Sequence, residues 1–246
     1  MRLLLFVALL FLLGGCANKN VSPQTLNSQE IDEFEEEFSS LSGSSFDPFE
    51  GYNRAMTKFN DAAITYVISP VSKGYKKVVP KGVRVSIGNF FNNLMFPVRF
   101  INNILQGKLS NAFSEGGRFI INTTVGFLGF ANVATDVYEI EEHPEDFGQT
   151  LGFWGVPSGP HIVLPFFGPS NVRDLGGTIA DRLADSLTID SLTENWRQST
   201  ALTLTGTVNG MPQIVDMYET LTKDAIDLYP LLKNSYEQRR DALIKE

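Results

Sequence analysis

From Phe147 to Val172 the chain runs for 26 residues without an Asp, Glu, Lys or Arg. That is long enough to cross a bilayer, which takes ~20 apolar residues as a helix. Five glycines (148, 152, 155, 159, 168) and four prolines (157, 160, 165, 169) forbid a spanning helix here. Irregular backbone at membrane depth is tolerated only where protein or a water-filled cavity satisfies its hydrogen bonds. The stretch is therefore expected as a loop tucked into the fold or as the lining of a passage. A second uncharged run, Phe119 to Thr135, covers 17 residues, and 15 of the 19 phenylalanines lie between Phe46 and Phe167. A Phe-rich core is one reading. A body that also presents apolar surface to lipid is the other.

The N-terminus carries a targeting signal. Arg2 is followed by an apolar run of 11 residues, Leu3 to Leu13, and then Gly14, Gly15 and Cys16. A charged start, a short apolar core and small residues at the cut define a secretory signal peptide. Leu13-Gly14-Gly15-Cys16 resembles a bacterial lipobox, in which the cysteine is lipidated and becomes the first mature residue. Cys16 is the single cysteine of the chain. The alternative is an ordinary signal peptide with an incidental cysteine, a lone thiol in an oxidising compartment. Two or more acyl chains anchor a protein stably. By resemblance to sorting rules, Ala17 and Asn18 after the cysteine favour the outer membrane, with the body on the periplasmic side of the inner leaflet.

The mature chain would hold 19 basic and 28 acidic side chains, since the removed piece carries one basic residue of the 20. An acidic chain is poorly suited to nucleic acid. Two histidines and no spare cysteine leave no common zinc arrangement, and Glu141-Glu142-His143 does not match H-E-x-x-H. There is no P-loop and no G-x-S-x-G. No cofactor, metal or catalytic residue is expected, although a Ser158/His161 or Ser158/His143 dyad keeps a lipid hydrolase as an alternative.

Residues 16–45 read as a lipidated cysteine and a tether, with six acids in the eight positions from Glu30 to Glu37. Such a block stays solvated. It is a spacer, or it recruits a partner. At Phe46-Asp47-Pro48, Asp47 can cap a helix beginning at Pro48. Tyr52, Ala55, Met56, Phe59, Ala63, Tyr66 and Val67 then recur on one helical face, and Pro70 is expected to end it. Lys73, Lys76, Lys77, Lys81 and Arg84 follow. They form either a contact for anionic headgroups or an acidic partner, or a solvated turn. Residues 87–105 are amphipathic with a polar face of asparagine, suited to packing on protein or to a wetted passage. A third segment covers 109–124. Leu175, Ile179, Leu183 and Leu187 mark a helix over 172–190. Residues 211–246 are helical, with Pro230 expected to kink or break them. The expected fold is mainly α, with five to seven amphipathic helices and one Gly/Pro-rich connection.

Three strings carry a family resemblance. Asp47-Pro48-Phe49-Glu50-Gly51-Tyr52-Asn53-Arg54-Ala55-Met56 resembles the opening motif of the MlaA (VacJ) lipoprotein family. Gly117-Arg118-Phe119-Ile120-Ile121-Asn122-Thr123-Thr124-Val125-Gly126 is similar to its second motif. Glu145-Asp146-Phe147-Gly148-Gln149-Thr150-Leu151-Gly152, continuing through Gly168-Pro169-Ser170 to Arg173-Asp174, is similar to its third. The resemblance implies a ring of amphipathic helices with a Gly/Pro-rich hairpin, embedded in one leaflet. It further implies a non-enzymatic channel that removes phospholipids from the outer leaflet and so maintains lipid asymmetry. Implied partners are phospholipids, an outer-membrane porin trimer and a soluble periplasmic lipid carrier (MlaC-like). A structural lipoprotein bridging the envelope layers is the remaining alternative. The expected organisation is a signal peptide (1–15), the lipidated tether (16–45), a helical core (46–210) and a C-terminal helical extension (211–246). Candidate channel or gate residues are Tyr52, Asn53, Met56, Phe59, Phe127, Phe130, Phe147 and Phe153. A hairpin around 127–151 is implied to act as the gate, and Phe59 is either a gate residue or simply core.

Overall fold

The computed structural model describes residues 47–223 and 225–246. The signal peptide, Cys16 and the acidic tether lie outside the described residues. The rest is mainly α, as the sequence led one to expect, with more and shorter segments than five to seven. In chain order these are α1 (Glu50–Ala63), a π-helical turn (Ile64–Ile68), α2 (Ser69–Val78), α3 (Lys81–Leu94), α4 (Phe96–Leu105), α5 (Leu109–Thr124), α6 (Val133–Asp136) and α7 (Phe147–Phe153). A two-stranded antiparallel sheet follows, β1 (His161–Leu164) and β2 (Gly168–Asn171), then α8 (Val172–Ser191), α9 (Trp196–Thr222) and α10 (Leu228–Lys245). Among the described residues no helix is long and apolar enough to cross a membrane.

Of the two expected proline breaks, one is absent and one is present. Pro70 does not end the first helix. It sits in the first turn of α2, directly after the π turn, where Ser69 N–H donates to the Ile64 carbonyl. A proline has no N–H to offer the carbonyl four residues back, and its ring crowds that carbonyl. One wider turn absorbs the mismatch and the rod continues. The break expected near Pro230 is present: α9 ends at Thr222 and α10 begins at Leu228, with Pro230 in its first turn, where a missing N–H costs little, and Asp227 caps that turn by accepting from Tyr229 N–H. Asp47 accepts from Phe49 N–H at 3.1 Å, but α1 opens at Glu50, not Pro48. The long uncharged stretch is partly regular, holding α7 and the hairpin.

Packing inverts the usual arrangement. Among the described residues, the buried set contains 22 polar or charged side chains against ten hydrophobic ones. The apolar stripes point outward. On α1 and its continuation, Tyr52, Phe59, Tyr66, Val67, Val71 and Val78 are exposed, whereas Asn53, Thr57, Asn60, Ile64 and Ile68 face inward. On α5, Leu109, Phe113 and Ile120 are exposed and Glu115, Arg118 and Asn122 are buried. On α8 the stripe of Ile179, Leu183 and Leu187 is exposed. A water-soluble helix turns its apolar face to the core; these do the reverse. Among the described residues, one hydrophobic cluster joins Ile64, Ile68, Val215, Tyr218 and Leu232 between the π turn, α9 and α10. Elsewhere contacts are close because side chains are absent: a Cβ on Gly177 would lie 2.3 Å from the Gly148 backbone nitrogen, so α7 and α8 touch backbone to backbone.

Candidate functional site

Two asparagines on the inner face of α1 hold the hairpin. Asn53 Nδ2 donates to the His161 carbonyl at 3.1 Å, and its Oδ1 accepts from Val163 N–H at 2.8 Å. Asn60, two turns on, repeats the pattern: Nδ2 donates to the Leu164 carbonyl at 3.0 Å and Oδ1 accepts from Phe166 N–H at 2.7 Å. An amide offers the donor and acceptor that a neighbouring strand would offer, so α1 behaves as the hairpin's third strand at two points. The turn itself is forced, with Phe166 at φ +66 and Gly168 at φ +80.

The inner face of α5 holds the segment between α5 and α7 in the same way. Glu115, with no exposed surface, accepts from Arg99 Nε at 2.7 Å and from His143 N–H at 2.7 Å. Arg118 donates to the Thr135 hydroxyl and the Ile140 carbonyl. Asn122 accepts from Ala134 N–H at 2.9 Å and donates to Asn132 at 3.1 Å. Beyond these ties the chain makes a turn with three consecutive left-handed residues, Phe127 (φ +52), Leu128 (φ +58) and Gly129 (φ +91). Such conformations are costly for bulky side chains and persist only where the surroundings fix them. Both Phe127 and Leu128 are exposed. Phe130 folds back and stacks on Phe90 at 4.9 Å.

The asparagine face of α4 packs against protein. Asn103 Nδ2 donates to the His143 carbonyl at 3.1 Å, and Asn102 Oδ1 accepts from the Thr150 hydroxyl at 2.8 Å. Gln106, Lys108 and Gln149 all donate to Glu145.

The centre is tied by charge to the last helix. Arg240 on α10 makes two hydrogen bonds to Asp146 (2.6 and 2.9 Å) and two to Asp174 (2.9 and 3.0 Å). Burial alone would push the Asp174 carboxyl up, yet the Arg173 and Arg240 guanidinium groups and the Tyr236 hydroxyl hold it below the usual value. Asp47 is likewise held down, against its burial, by Tyr229 and Lys233. Asp181 on α8 goes the other way. Burial, with a further push from Asp146, raises it to about 6, although it accepts from Phe147 N–H at 3.0 Å. A carboxyl whose folded-state pKa lies above its unfolded one holds its proton more tightly when folded. Its contribution favours folding most at low pH and is lost as pH rises from about 3.8 to about 6. Asp181→Asn keeps an acceptor for Phe147 and carries no charge. It is expected to stabilise the protein above pH 6 by on the order of 1–2 kcal/mol, allowing for partial solvent screening. Thermal unfolding in detergent from pH 4 to 8 checks this; equal curves for variant and wild type would refute it.

The eight candidates from the sequence are dispersed. Asn53 is fully buried as a hairpin clamp. Tyr52, Phe127 and Phe153 are exposed, and Met56 and Phe147 are partly buried. Phe59 is 42% exposed and meets Phe166 edge-on at 5.0 Å. Phe127 and Phe130 are neighbours at 6.3 Å. None of the eight lines the narrow gap between α1, the hairpin, α9 and α10, whose wall includes Asn60, Val163, Tyr218, Leu232 and Lys233. Among the described residues no hydrogen bond joins Ser158 to a histidine side chain; His161 Nδ1 pairs with Glu237 at 2.8 Å. Sequence reasoning missed Glu115, Tyr229, Glu237 and Arg240. Asp146 and Asp174 stood inside a recognised string, but nothing in the sequence tied them to a residue in the last helix.

The MlaA lipoprotein family matches residues 45–243. The intermembrane phospholipid transport system lipoprotein MlaA of Shigella flexneri is 34% identical over 198 residues, 79% of this chain and 77% of that protein. The protein of the same name from Haemophilus influenzae is 36% identical over 171 residues, 69% of this chain and 62% of that protein. A solved structure, described as a structural basis for maintenance of bacterial outer membrane lipid asymmetry, superposes with a TM-score of 0.68. It is 32% identical and covers 80% of this chain and 98% of its own. These similarities bear out the resemblance read from the three strings, and they reach further, through α10.

Proposed function

The chain belongs to the MlaA lipoprotein family, and on that footing we propose that it works in an intermembrane phospholipid transport system that maintains outer-membrane lipid asymmetry. The observation that carries this is the inverted packing. Stripes of large apolar side chains on α1, α5 and α8 face outward, over a hydrogen-bonded polar interior. A surface of this kind suits lipid, and a polar interior suits the passage of headgroups. Moving two acyl chains through water costs on the order of 20 kcal/mol, at ~0.8 kcal/mol for each of ~30 methylenes. A protein without a nucleotide site can lower that barrier only by providing a continuous amphipathic path. Direction then comes from partners or from the lipid imbalance.

In this reading residues 1–15 are removed, Cys16 carries the acyl chains, and residues 46–210 sit in the inner leaflet as a ring. The ring stands beside a porin trimer and passes lipid to a soluble MlaC-like carrier without hydrolysing it. Cells lacking the protein should accumulate phospholipid in the outer leaflet, and the intact gene should reverse this. Unchanged surface phospholipid in the deletion strain would overturn the function. Release of free fatty acid or lysolipid by purified protein would favour the hydrolase. Cys16→Ser should leave an unprocessed precursor, visible as a larger band that incorporates no labelled palmitate; normal processing would refute the anchor.

Phe59 tests the gate. At 42% exposure its replacement by Ala should cost well under the ~3–5 kcal/mol of a buried Phe. Phe59→Ala is therefore expected at near-normal abundance. Its ring abuts Phe166, at the turn held by Asn60. A dominant rise in detergent sensitivity at normal abundance supports a gate; low abundance with a recessive defect returns Phe59 to a structural role.

A further inference from the structure

Charge is distributed very unevenly along this chain. Its formal net charge is −8, yet residues 62–114 contain no Asp or Glu. Most of the basic side chains in that stretch are matched from outside it. Lys76 meets Asp216 at 2.8 Å, Lys73 meets Glu219 at 3.8 Å, Arg99 meets Glu115 at 2.7 Å, and Lys108 meets Glu145 at 2.6 Å. Lys77, Lys81 and Arg84 have no carboxylate within ion-pair distance among the described residues. They bracket the corner where α2 gives way to α3 through Val79 and Pro80. Val78 at that corner is 81% exposed, and Val83 and Val85 on the first turns of α3 are about half exposed.

We propose that the α2–α3 corner is a docking surface for anionic phospholipid headgroups, with Val78 dipping below them and Lys77 and Lys81 reaching their phosphates. The proposal rests on the reading that the apolar exterior lies in a leaflet. The chemistry favours lipid as the occupant over an acidic protein. A bare valine at the apex with long-stemmed amines on either side is the pattern of an interfacial segment. The stems lie along the acyl boundary while the ammonium groups stay at the phosphate level. Unmatched cations in a chain this acidic are drawn to a negatively charged surface, and the attraction weakens with salt.

The test uses the full lipidated chain, in which Cys16 is blocked by its acyl chains, carrying a nitroxide at Val78→Cys or at Leu183→Cys on the α8 stripe. Each is reconstituted into vesicles of phosphatidylcholine alone or with phosphatidylglycerol, and collision with oxygen and with a water-soluble nickel reagent is measured. The Val78 label should be immersed with phosphatidylglycerol and shallower without it. Lys77→Gln with Lys81→Gln should lower the docked-to-undocked ratio roughly thirty-fold. The charge reversal Lys77→Glu with Lys81→Glu should have a larger effect in the same direction. An unchanged Leu183 label in these variants shows that the protein is still folded and embedded. Equal Val78 immersion with and without anionic lipid, insensitive to the lysines, would overturn the proposal. So would a Val78 label shielded from both reagents, because that marks a protein contact. If the Leu183 label is not immersed either, the membrane reading itself fails.

Discussion

Arg240→Ala is expected to remove most of the folded protein. Four hydrogen bonds at 2.6–3.0 Å join this one guanidinium to Asp146 and Asp174. Asp174 is buried, and Asp146 at the same time caps α7 through a reciprocal box with Gln149. Truncation leaves two carboxylates facing each other with their shared cation gone. Breaking a buried pair by removing one partner typically costs ~3–5 kcal/mol, a large part of a domain's stability. Arg240→Lys should recover little, since a single ammonium cannot serve two carboxylates with the fixed geometry of a planar fork. Lowering the charge instead, by combining Arg240→Met with Asp146→Asn and Asp174→Asn, should recover part of the loss. Steady-state abundance and thermal unfolding in detergent read all three. Wild-type abundance for Arg240→Ala would mean that α10 is not needed to hold the α7–α8 crossing.

Asn53→Ala should release the hairpin. It leaves the Val163 N–H and the His161 carbonyl unpaired in a region closed to water, and Tyr229 loses a partner as well. At ~1–3 kcal/mol for each buried group left unsatisfied, the total for the two is about 2–6 kcal/mol. Asn53→Asp should be no milder. It keeps the acceptor for Val163, gives up both donors, and brings a second carboxylate towards Asp47, which Asn53 contacts at 3.4 Å. Protease susceptibility localised to 158–171 would mark this failure as local. Wild-type protection of that segment would show that pairing between β1 and β2 suffices to hold it.

Helical periodicity was legible at Tyr52, Met56, Phe59 and Tyr66 because apolar and polar residues alternate there with a helical period. Which side faces inward was not legible. Periodicity finds two faces, and their assignment depends on the surrounding solvent. Only the density of phenylalanine and the uncharged runs suggested a solvent other than water. Pro70 misled because the effect of a proline depends on whether the backbone can widen ahead of it, as it does over Ile64–Ile68. The spacing of the asparagines at 102 and 103 puts them on one face, and that face packs on protein. Their partners, His143 and Thr150, lie some forty residues on, where no local pattern connects them. The three family strings located Asn53, Asn122, Asp146 and Asp174, but pairings such as Asn53 with Val163, or Asp174 with Arg240, appear only once the chain is folded.

The polar interior has a calorimetric consequence. The large heat-capacity increment of unfolding, usually about 12–15 cal/mol/K per residue, arises from apolar surface newly exposed to water. Here much of the apolar surface is already outside in the folded state, and in a micelle or a leaflet it stays covered by hydrocarbon when the helices separate. The groups that gain water are amides, carboxylates and guanidinium groups, whose hydration lowers the heat capacity. The increment for this protein in detergent should be well under the usual figure. Its stability would then fall nearly linearly with temperature, without the marked curvature and maximum of a water-soluble domain.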